Sequence, residues 1–208
     1  ATGGYPMEDQ PAVGSDLVVN TWDILSGHVP PGKRVLLFDD AGDHAALQAA
    51  EIIAAAGAEL EIMTPDRTFS AEIMAMNLVP YMRSLQRANV TFTPTYRLKS
   101  VQRDGSELLA EITSDYAIHG QQDSGHERRI DQVVVNYGIT PLADIYFELK
   151  PHASNRGEVN YDDLIVGAPQ SVTSNPDGRF QLFRIGDAVE SRNTHAAIYD
   201  ALRLVKDL

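Results

Sequence analysis

The feature that most constrains the fold lies between residues 33 and 65, where two short apolar runs flank a helix-forming stretch. The first run, Val35-Leu36-Leu37-Phe38, has no polar alternation and is therefore typical of a strand buried on both faces. Residues 45–56 are almost entirely Ala, Leu, Ile, Gln and Glu, which favour a helix, and residues 60–63 resemble a second strand. This order predicts a βαβ unit and hence a parallel sheet.

The remaining elements follow from periodicity and turn residues. Residues 70–88 have helical spacing but contain Pro80, which we expect to kink or interrupt the helix. Polar Gly and Asp turns separate predicted strands, which indicates a β-meander inserted after the helices. Those strands are 97–103, 107–113 and 128–135, and the later elements are a helix at 143–149, a strand at 180–185 and a helix at 194–205. The predicted class is α/β.

Composition narrows the classes of function. The chain has 17 Lys+Arg and 29 Asp+Glu, a net charge of −12, which disfavours binding to nucleic acid or anionic membranes. The absence of Cys excludes disulfides and a cysteine-ligated iron–sulfur cluster within these residues. No histidine cluster has the spacing of a metal site. No apolar run approaches the roughly 18 residues of a membrane span, so we expect a cytoplasmic location.

The turn after the first predicted strand is the first candidate site. A dinucleotide-binding turn here would follow the pattern G-x-G-x-x-G, because glycine permits the close approach of a pyrophosphate. The three glycine positions hold Asp39, Ala41 and His44, and Gly42 lies out of register. Asp39 and Asp40 also place negative charge where a phosphate would bind at a helix N-terminus. The sequence therefore predicts a Rossmann-like lobe with little affinity for NAD(P).

A second candidate site is the turn Gly186-Asp187-Ala188, between a predicted strand and the last predicted helix. In flavoproteins with two dinucleotide-binding domains, a Gly-Asp pair at this place contacts the ribityl–pyrophosphate part of FAD, and the next helix directs its N-terminus toward the flavin. Residues 131–138, with the pattern D-x-V-V-x-x-x-G, precede the turn at a suitable distance. The opening Ala1-Thr2-Gly3-Gly4 is a third candidate, because an A-T-G sequence ends a strand beside the flavin phosphates in the same proteins.

Taken in order, these segments resemble the C-terminal nucleotide-binding region of the trimethylamine dehydrogenase, histamine dehydrogenase and 2,4-dienoyl-CoA reductase group of NADH:flavin oxidoreductases, which are old yellow enzyme-like. The densest resemblance covers residues 35–64, including Phe38-Asp39-Asp40-Ala41-Gly42-Asp43-His44. The amine dehydrogenase branch has a similar Asp-rich loop there. Residues 131–138 and 185–198 match the returning flavin-type segment of the family.

The resemblance implies a domain arrangement. In the family, a barrel with FMN and an iron–sulfur cluster precedes two nucleotide-binding domains, the second inserted in the first. Residues 1–15 would leave the FAD/ADP-type domain, residues 16–128 would form the degenerate NAD(P)-type lobe, and residues 129–208 would return to the FAD/ADP-type domain. The barrel, its cofactors and the glycine-rich FAD loop would then lie in a preceding part of a longer polypeptide, which would be the main partner of this chain.

The resemblance also implies site residues. Gly3, Gly186, Asp187 and Ala188 match positions that line FAD or ADP in the family. His195 and Ala196, at the start of the last predicted helix, complete the candidate cofactor-binding set, although His195 alternatively caps that helix or lies on the surface, and Asp187 alternatively caps its own loop. The NAD(P) positions do not match, which makes NAD(P) binding doubtful.

These observations predict a nucleotide-binding scaffold fragment of a flavin-dependent oxidoreductase that has no chemistry of its own. The amine-oxidising branch passes electrons to an electron-transferring flavoprotein, and homo-oligomers would form through the parent polypeptide. Two alternatives stay open. One is a stand-alone acidic interaction or electron-transfer docking module, motivated by the charge of −12. The other is an NAD(P)H-dependent flavin reductase with an unusual phosphate loop.

Overall fold

The computed structural model of the protein describes residues 3–8, 10–114, 116 and 126–205. The chain divides into two compact units, one formed by Pro6–Gly138 and the other by Ala1–Tyr5 with Ile139–Leu208. Ten strands are assigned in the described residues: β1 (Gly4–Pro6), β2 (Val19–Asn20), β3 (Arg34–Asp39), β4 (Glu59–Thr64), β5 (Thr91–Pro94), β6 (Tyr96–Asp104), β7 (Glu107–Ser114), β8 (Glu127–Ile130), β9 (Gln132–Asn136) and β10 (Ile139–Pro141). The α-helices of the same residues are α1 (Thr21–Leu25), α2 (His44–Ala55), α3 (Ala75–Arg87), α4 (Asp144–Leu149), α5 (Tyr161–Val166) and α6 (Thr194–Val205). The predicted α/β class is confirmed.

A five-stranded parallel sheet forms the centre of the unit Pro6–Gly138. Its strand order is β2-β9-β3-β4-β5, and β3 pairs in parallel with both β4 and β9. Successive side chains of a strand point to opposite faces, so Val35 and Leu37 pack in the cluster with α2, whereas Leu36 and Phe38 pack in the cluster on the other face. This explains why β3 has no polar alternation, as the sequence predicted for a strand buried on both faces.

A three-stranded antiparallel sheet covers the second face. Its order is β6-β7-β8, and its apolar residues Val101, Ala110 and Ile112 share a buried cluster with Phe38. The prediction of one strand at 128–135 is wrong, because these residues belong to β8 of the antiparallel sheet and β9 of the parallel sheet.

The break between β8 and β9 occurs at Asp131. The backbone N–H of Asp131 donates to the carbonyl oxygen of Arg34 at 3.0 Å, and the Asp131 carboxylate accepts from the Arg34 guanidinium at 2.6 Å. The chain therefore leaves the antiparallel sheet at Asp131 and enters the parallel sheet. Since β9 pairs with β2 and β3, residues 132–136 lie in the unit Pro6–Gly138, and the return to the other unit begins at Ile139. The domain boundary expected at residue 129 from the family resemblance stays a prediction.

The second predicted helix begins later than its periodicity indicated. Ser70 has a positive φ of 56°, and the N–H of Ile73 donates to the Ser70 carbonyl oxygen at 3.0 Å. This turn is incompatible with a helix from residue 70, so α3 begins at Ala75. The helix continues through Pro80, which does not interrupt it.

The other unit contains the small sheet of β1 and β10, the helices α4 to α6 and three-residue 3₁₀ turns. No strand is assigned at residues 180–185, contrary to the prediction. The buried side chain of Asn155 provides the partners that a neighbouring strand would have supplied: its Oδ1 accepts from the Leu182 N–H and its Nδ2 donates to the Leu182 carbonyl oxygen, each at 2.9 Å. None of the described helices has the length and apolarity needed to cross a membrane.

Candidate functional site

The turn after β3 is organised by a buried carboxylate. The side chain of Asp39 is enclosed at the end of the strand, and the residue is only 1% exposed. Its Oδ1 accepts hydrogen bonds from the Gly42 backbone N–H and from Nδ2 of Asn136, both at 2.9 Å. Gly42 has φ 67°, a conformation that glycine adopts without strain.

A second carboxylate caps the helix that follows. Oδ1 of Asp43 accepts from the N–H of Ala45, in the first turn of α2, at 2.9 Å. Nδ2 of Asn136 donates to this oxygen as well, also at 2.9 Å, so the amide links Asp43 to Asp39. Backbone N–H groups at such a turn and helix N-terminus are those that bind phosphate in nucleotide sites. Two of these groups are already bonded to carboxylates of the chain itself.

Burial raises the pKa of Asp39 to about 6. The hydrogen bonds from Gly42 and Asn136 act in the opposite direction, and the nearby charge of Asp43 adds to the increase. Asp40, the next residue, lies 3.7 Å from the guanidinium of Arg97. The two adjacent aspartates therefore have different environments, one enclosed and one facing a cation.

The other loop residues also lie at this turn. His44 Nδ1 is 3.2 Å from the hydroxyl of Tyr81, and the rings are 5.9 Å apart. Ala41 packs beside Gly138, where an added Cβ would be 3.8 Å from the Ala41 methyl. The role of Asn136 is not evident from the sequence, because its partner Asp39 is 97 residues away along the chain. The available signal was its position at the end of β9, which lies beside β3 in the sheet.

The turn at residues 186–188 has a different character. Gly186 is buried, has φ 58° and begins a 3₁₀ turn. A Cβ added to Gly186 would lie 3.2 Å from the Cβ of Ala197 in α6, so the turn is pressed against that helix. The Gly186 N–H donates to Oδ2 of Asp200 at 3.1 Å, and the Arg192 guanidinium donates to the same oxygen. Arg192 and Asp200 were not identified from the sequence.

Asp187 and Ala188 are both half-buried. Asp187 has no hydrogen-bond or ion-pair partner among the described residues, so its carboxylate is available to accept hydrogen bonds from a ligand. His195 is exposed at the start of α6, and the neighbouring Ala196 N–H donates to Oδ1 of Asn193 at 2.9 Å. Asn193 is thus the residue whose side chain caps this helix end.

Gly3 lies in the same unit as the Gly186 turn. It has φ 69°, and its carbonyl oxygen accepts from the Leu142 N–H at 2.9 Å. Ala1 and Thr2, the first residues of the proposed A-T-G sequence, lie outside the described residues. Within residues 3–8, 10–114, 116 and 126–205, no group of three or more His, Asp or Glu could hold a metal ion.

Comparison with known proteins identifies similar relatives, although no protein-family model matches the chain. The chain is 62% identical over its whole length to a probable N-methylproline demethylase of Rhizobium meliloti, and it spans 30% of that protein. It is 42% identical over its whole length to the N,N-dimethylglycine/sarcosine dehydrogenase of Chromohalobacter salexigens, of which it spans 31%. The chain therefore covers less than a third of each relative.

Solved structures provide a comparison of the fold. A 2-naphthoyl-CoA reductase matches 98% of the chain with a TM-score of 0.65 and 22% identity, and the match spans 26% of that protein. Histamine dehydrogenase from Rhizobium sp. 4-9 matches 98% of the chain with a TM-score of 0.60 and 17% identity, over 29% of its own length. At these identities the likeness shows the fold alone. The two relatives confirm the resemblance to the trimethylamine dehydrogenase, histamine dehydrogenase and 2,4-dienoyl-CoA reductase group that was seen in the sequence, since the whole chain is similar to part of each of them.

Proposed function

We propose that this chain is the nucleotide-binding scaffold of a flavin-dependent oxidoreductase that acts on a small N-methylated amine. The substrate class is suggested by the names of the two relatives, an N-methylproline demethylase and a dimethylglycine/sarcosine dehydrogenase. In this proposal the chain contributes part of an FAD or ADP site and no catalytic residue. An electron-transferring flavoprotein as the electron acceptor remains a prediction.

The contrast between the two turns carries the proposal. At the turn after β3, carboxylates of Asp39 and Asp43 already accept from the Gly42 and Ala45 N–H groups. A dinucleotide pyrophosphate would have to displace these carboxylates and would meet their negative charge. We infer that the unit Pro6–Gly138 is a degenerate NAD(P)-type lobe, with β6 to β8 as its inserted meander, and that it binds NAD(P) weakly or not at all.

The turn at Gly186 fits a nucleotide better. Gly186 supplies the left-handed backbone of a tight turn, and the half-buried Asp187 has an acceptor group without a partner among the described residues. A carboxylate at this position suits the hydroxyl groups of a ribose or ribityl chain, which donate hydrogen bonds. FAD, when bound in the parent polypeptide, would supply the redox chemistry, while Asp187 would orient the cofactor.

Exposed apolar side chains in the second unit favour a larger polypeptide as the partner. Ile165 and Val166 in α5 are each 75% exposed, and Ile198 and Leu202 in α6 are 62% and 55% exposed. Within each helix the two residues lie within about one turn of each other, and contiguous exposed apolar surface usually marks an interaction site. We propose that these helices pack against the remainder of the FAD/ADP-type domain. This reading is favoured over a stand-alone module, because the matched relatives are more than three times as long as the region that the chain spans.

Calorimetric titration of the full-length polypeptide with ADP and with NADH tests the proposal. We expect ADP to bind and Asp187→Ala to weaken that binding at least about tenfold, since a hydrogen bond to a charged group contributes roughly 1.5–3 kcal/mol. We expect no saturable NADH binding at the β3 turn. Any NADH that binds the protein should be displaced by ADP. Asp177→Ala is the matched control, because Asp177 is an exposed aspartate of the same unit.

Two results would contradict the proposal. Micromolar NADH binding that ADP does not displace and that Ala41→Glu abolishes would show that the β3 turn is a working dinucleotide site. Such a result would instead favour the NAD(P)H-dependent reductase. Equal ADP affinities of the unaltered protein and the Asp187→Ala variant would remove Asp187 from the site.

A further inference from the structure

We propose that Asp200 is a positioning residue for the cofactor turn at Gly186–Asp187, and that Arg192 offsets its charge. The inference rests on the proposed function, in which this turn contacts FAD or ADP. Asp200 lies 14 residues after Gly186, on α6, beyond the family-like segment at residues 185–198. Its role follows from the contacts around the turn.

Both polar backbone atoms of Gly186 are bonded within the chain. Its N–H donates to Oδ2 of Asp200 at 3.1 Å, and its carbonyl oxygen accepts from the Val189 N–H at 2.9 Å. With both groups committed, the peptide planes on either side of Gly186 have little freedom to rotate. The Glu190 N–H also donates to this carbonyl oxygen, at 3.3 Å, and the direction in which the chain enters Asp187 is therefore set by these hydrogen bonds.

Helix α6 also constrains the Gly186 turn through close packing. Ala197 approaches Gly186 so closely that an added Cβ would be 3.2 Å from the Ala197 Cβ. Ala197 and Asp200 are three residues apart, which places them on one face of the helix. One helix face thus presents a small side chain that allows close packing and a carboxylate that accepts the Gly186 N–H.

Arg192 makes this arrangement compatible with an anionic cofactor. An ionised carboxylate beside the turn would repel a pyrophosphate, since two negative charges a few ångströms apart interact unfavourably even near a surface. The Arg192 guanidinium donates to the same Oδ2 that accepts from Gly186. The pair is neutral overall, and the Asp200 carboxylate can hold the turn without adding net negative charge.

The test compares Asp200→Ala with Asp200→Asn in the full-length polypeptide. We expect Asp200→Ala to weaken ADP binding about tenfold and to accelerate hydrogen exchange at the Gly186 amide. Asparagine keeps an oxygen that can accept the Gly186 N–H, so Asp200→Asn should restore the exchange protection and most of the affinity. Arg203→Gln, which removes a charge from the same helix and does not touch the turn, is the matched control for α6.

The outcomes separate this inference from the proposed function. If Asp187→Ala weakens ADP binding but Asp200→Ala changes neither the affinity nor the Gly186 exchange rate, the positioning role is overturned and the proposed function stands. If Asp200→Asn has the same ADP affinity and the same Gly186 exchange rate as Asp200→Ala, an oxygen acceptor at this position does not hold the turn. That result also overturns the positioning role. If the unaltered protein binds neither ADP nor FAD, the proposed function fails and the inference fails with it.

Discussion

Replacing Asp39 with Asn is expected to remove a component of stability that depends on pH. Burial raises the pKa of this carboxyl to about 6 in the folded chain, against an ordinary value near 3.8. One pKa unit corresponds to about 1.4 kcal/mol, so the free energy at stake is on the order of 2–3 kcal/mol. That is a substantial share of the roughly 5–15 kcal/mol that stabilises a typical domain.

The pKa of Asp39 is shifted in the direction opposite to that of most aspartates in folded proteins. Because the folded pKa is above the unfolded pKa, the folded state binds the proton more tightly, and protonation of Asp39 favours folding. The stabilising contribution is fully present below about pH 4 and is lost as the pH rises through about 6. Ion-paired Asp131, whose pKa is lowered by Arg34, contributes in the opposite sense, and its stabilising effect is lost in acid.

The contribution of Asp39 is isolated by comparing how the free energy of unfolding depends on pH in the unaltered chain and in Asp39→Asn. Urea unfolding of the unaltered chain and of Asp39→Asn between pH 4 and pH 7.5 should give two curves that diverge by about 2–3 kcal/mol over this range. Asp16→Asn, which changes an exposed aspartate of the same unit, should give a curve parallel to that of the unaltered chain. Parallel curves for the unaltered chain and Asp39→Asn would show that the buried carboxyl does not titrate in this range.

The β3-α2-β4 part of the central sheet was predictable because its signal is local. The apolar runs of β3 and β4 and the helix formers of α2 each specify an element without reference to distant residues, and the buried alternation of Val35 to Phe38 follows directly from a sheet covered on both faces. The turn chemistry after β3 was only half predictable. The sequence showed that glycines were missing, but not that Asn136 would join two carboxylates from the end of a neighbouring strand.

The errors have a common physical cause, which is that a local pattern does not specify its partner. Residues 128–135 look like one strand, but Asp131 interacts with Arg34 and divides them between two sheets. Residues 180–185 have the composition of a strand, but their backbone partner is the side chain of Asn155. Gly186 and Asp187 were proposed as site residues from a short motif, whereas the contact between Asp200 and Gly186 depends on how the following helix packs.

Replacing Asn155 with Ala is expected to destabilise the unit that contains the Gly186 turn by about 2–4 kcal/mol. Asn155 is 1% exposed, and its side chain bonds both the N–H and the carbonyl oxygen of Leu182. Its Nδ2 also donates to the Glu158 carbonyl oxygen at 2.9 Å. Alanine removes the partner of these part-buried backbone groups, and a fully buried group left unsatisfied costs roughly 1–3 kcal/mol.

Asn155→Asp should have at least as large an effect, because it removes both donors and places a charge at a buried position. Asn77→Ala, at an exposed position of α3, is the matched control and should change stability by less than about 0.5 kcal/mol. Hydrogen exchange at the Leu182 amide measures the effect locally, with an expected acceleration of about 10- to 100-fold in Asn155→Ala. Unchanged protection of Leu182 would mean that another group holds this segment in place.

Residues 180–185 lead directly into Gly186. Asn155→Ala should therefore also accelerate exchange at the Gly186 amide, because the stability of this segment affects the geometry of the proposed cofactor turn.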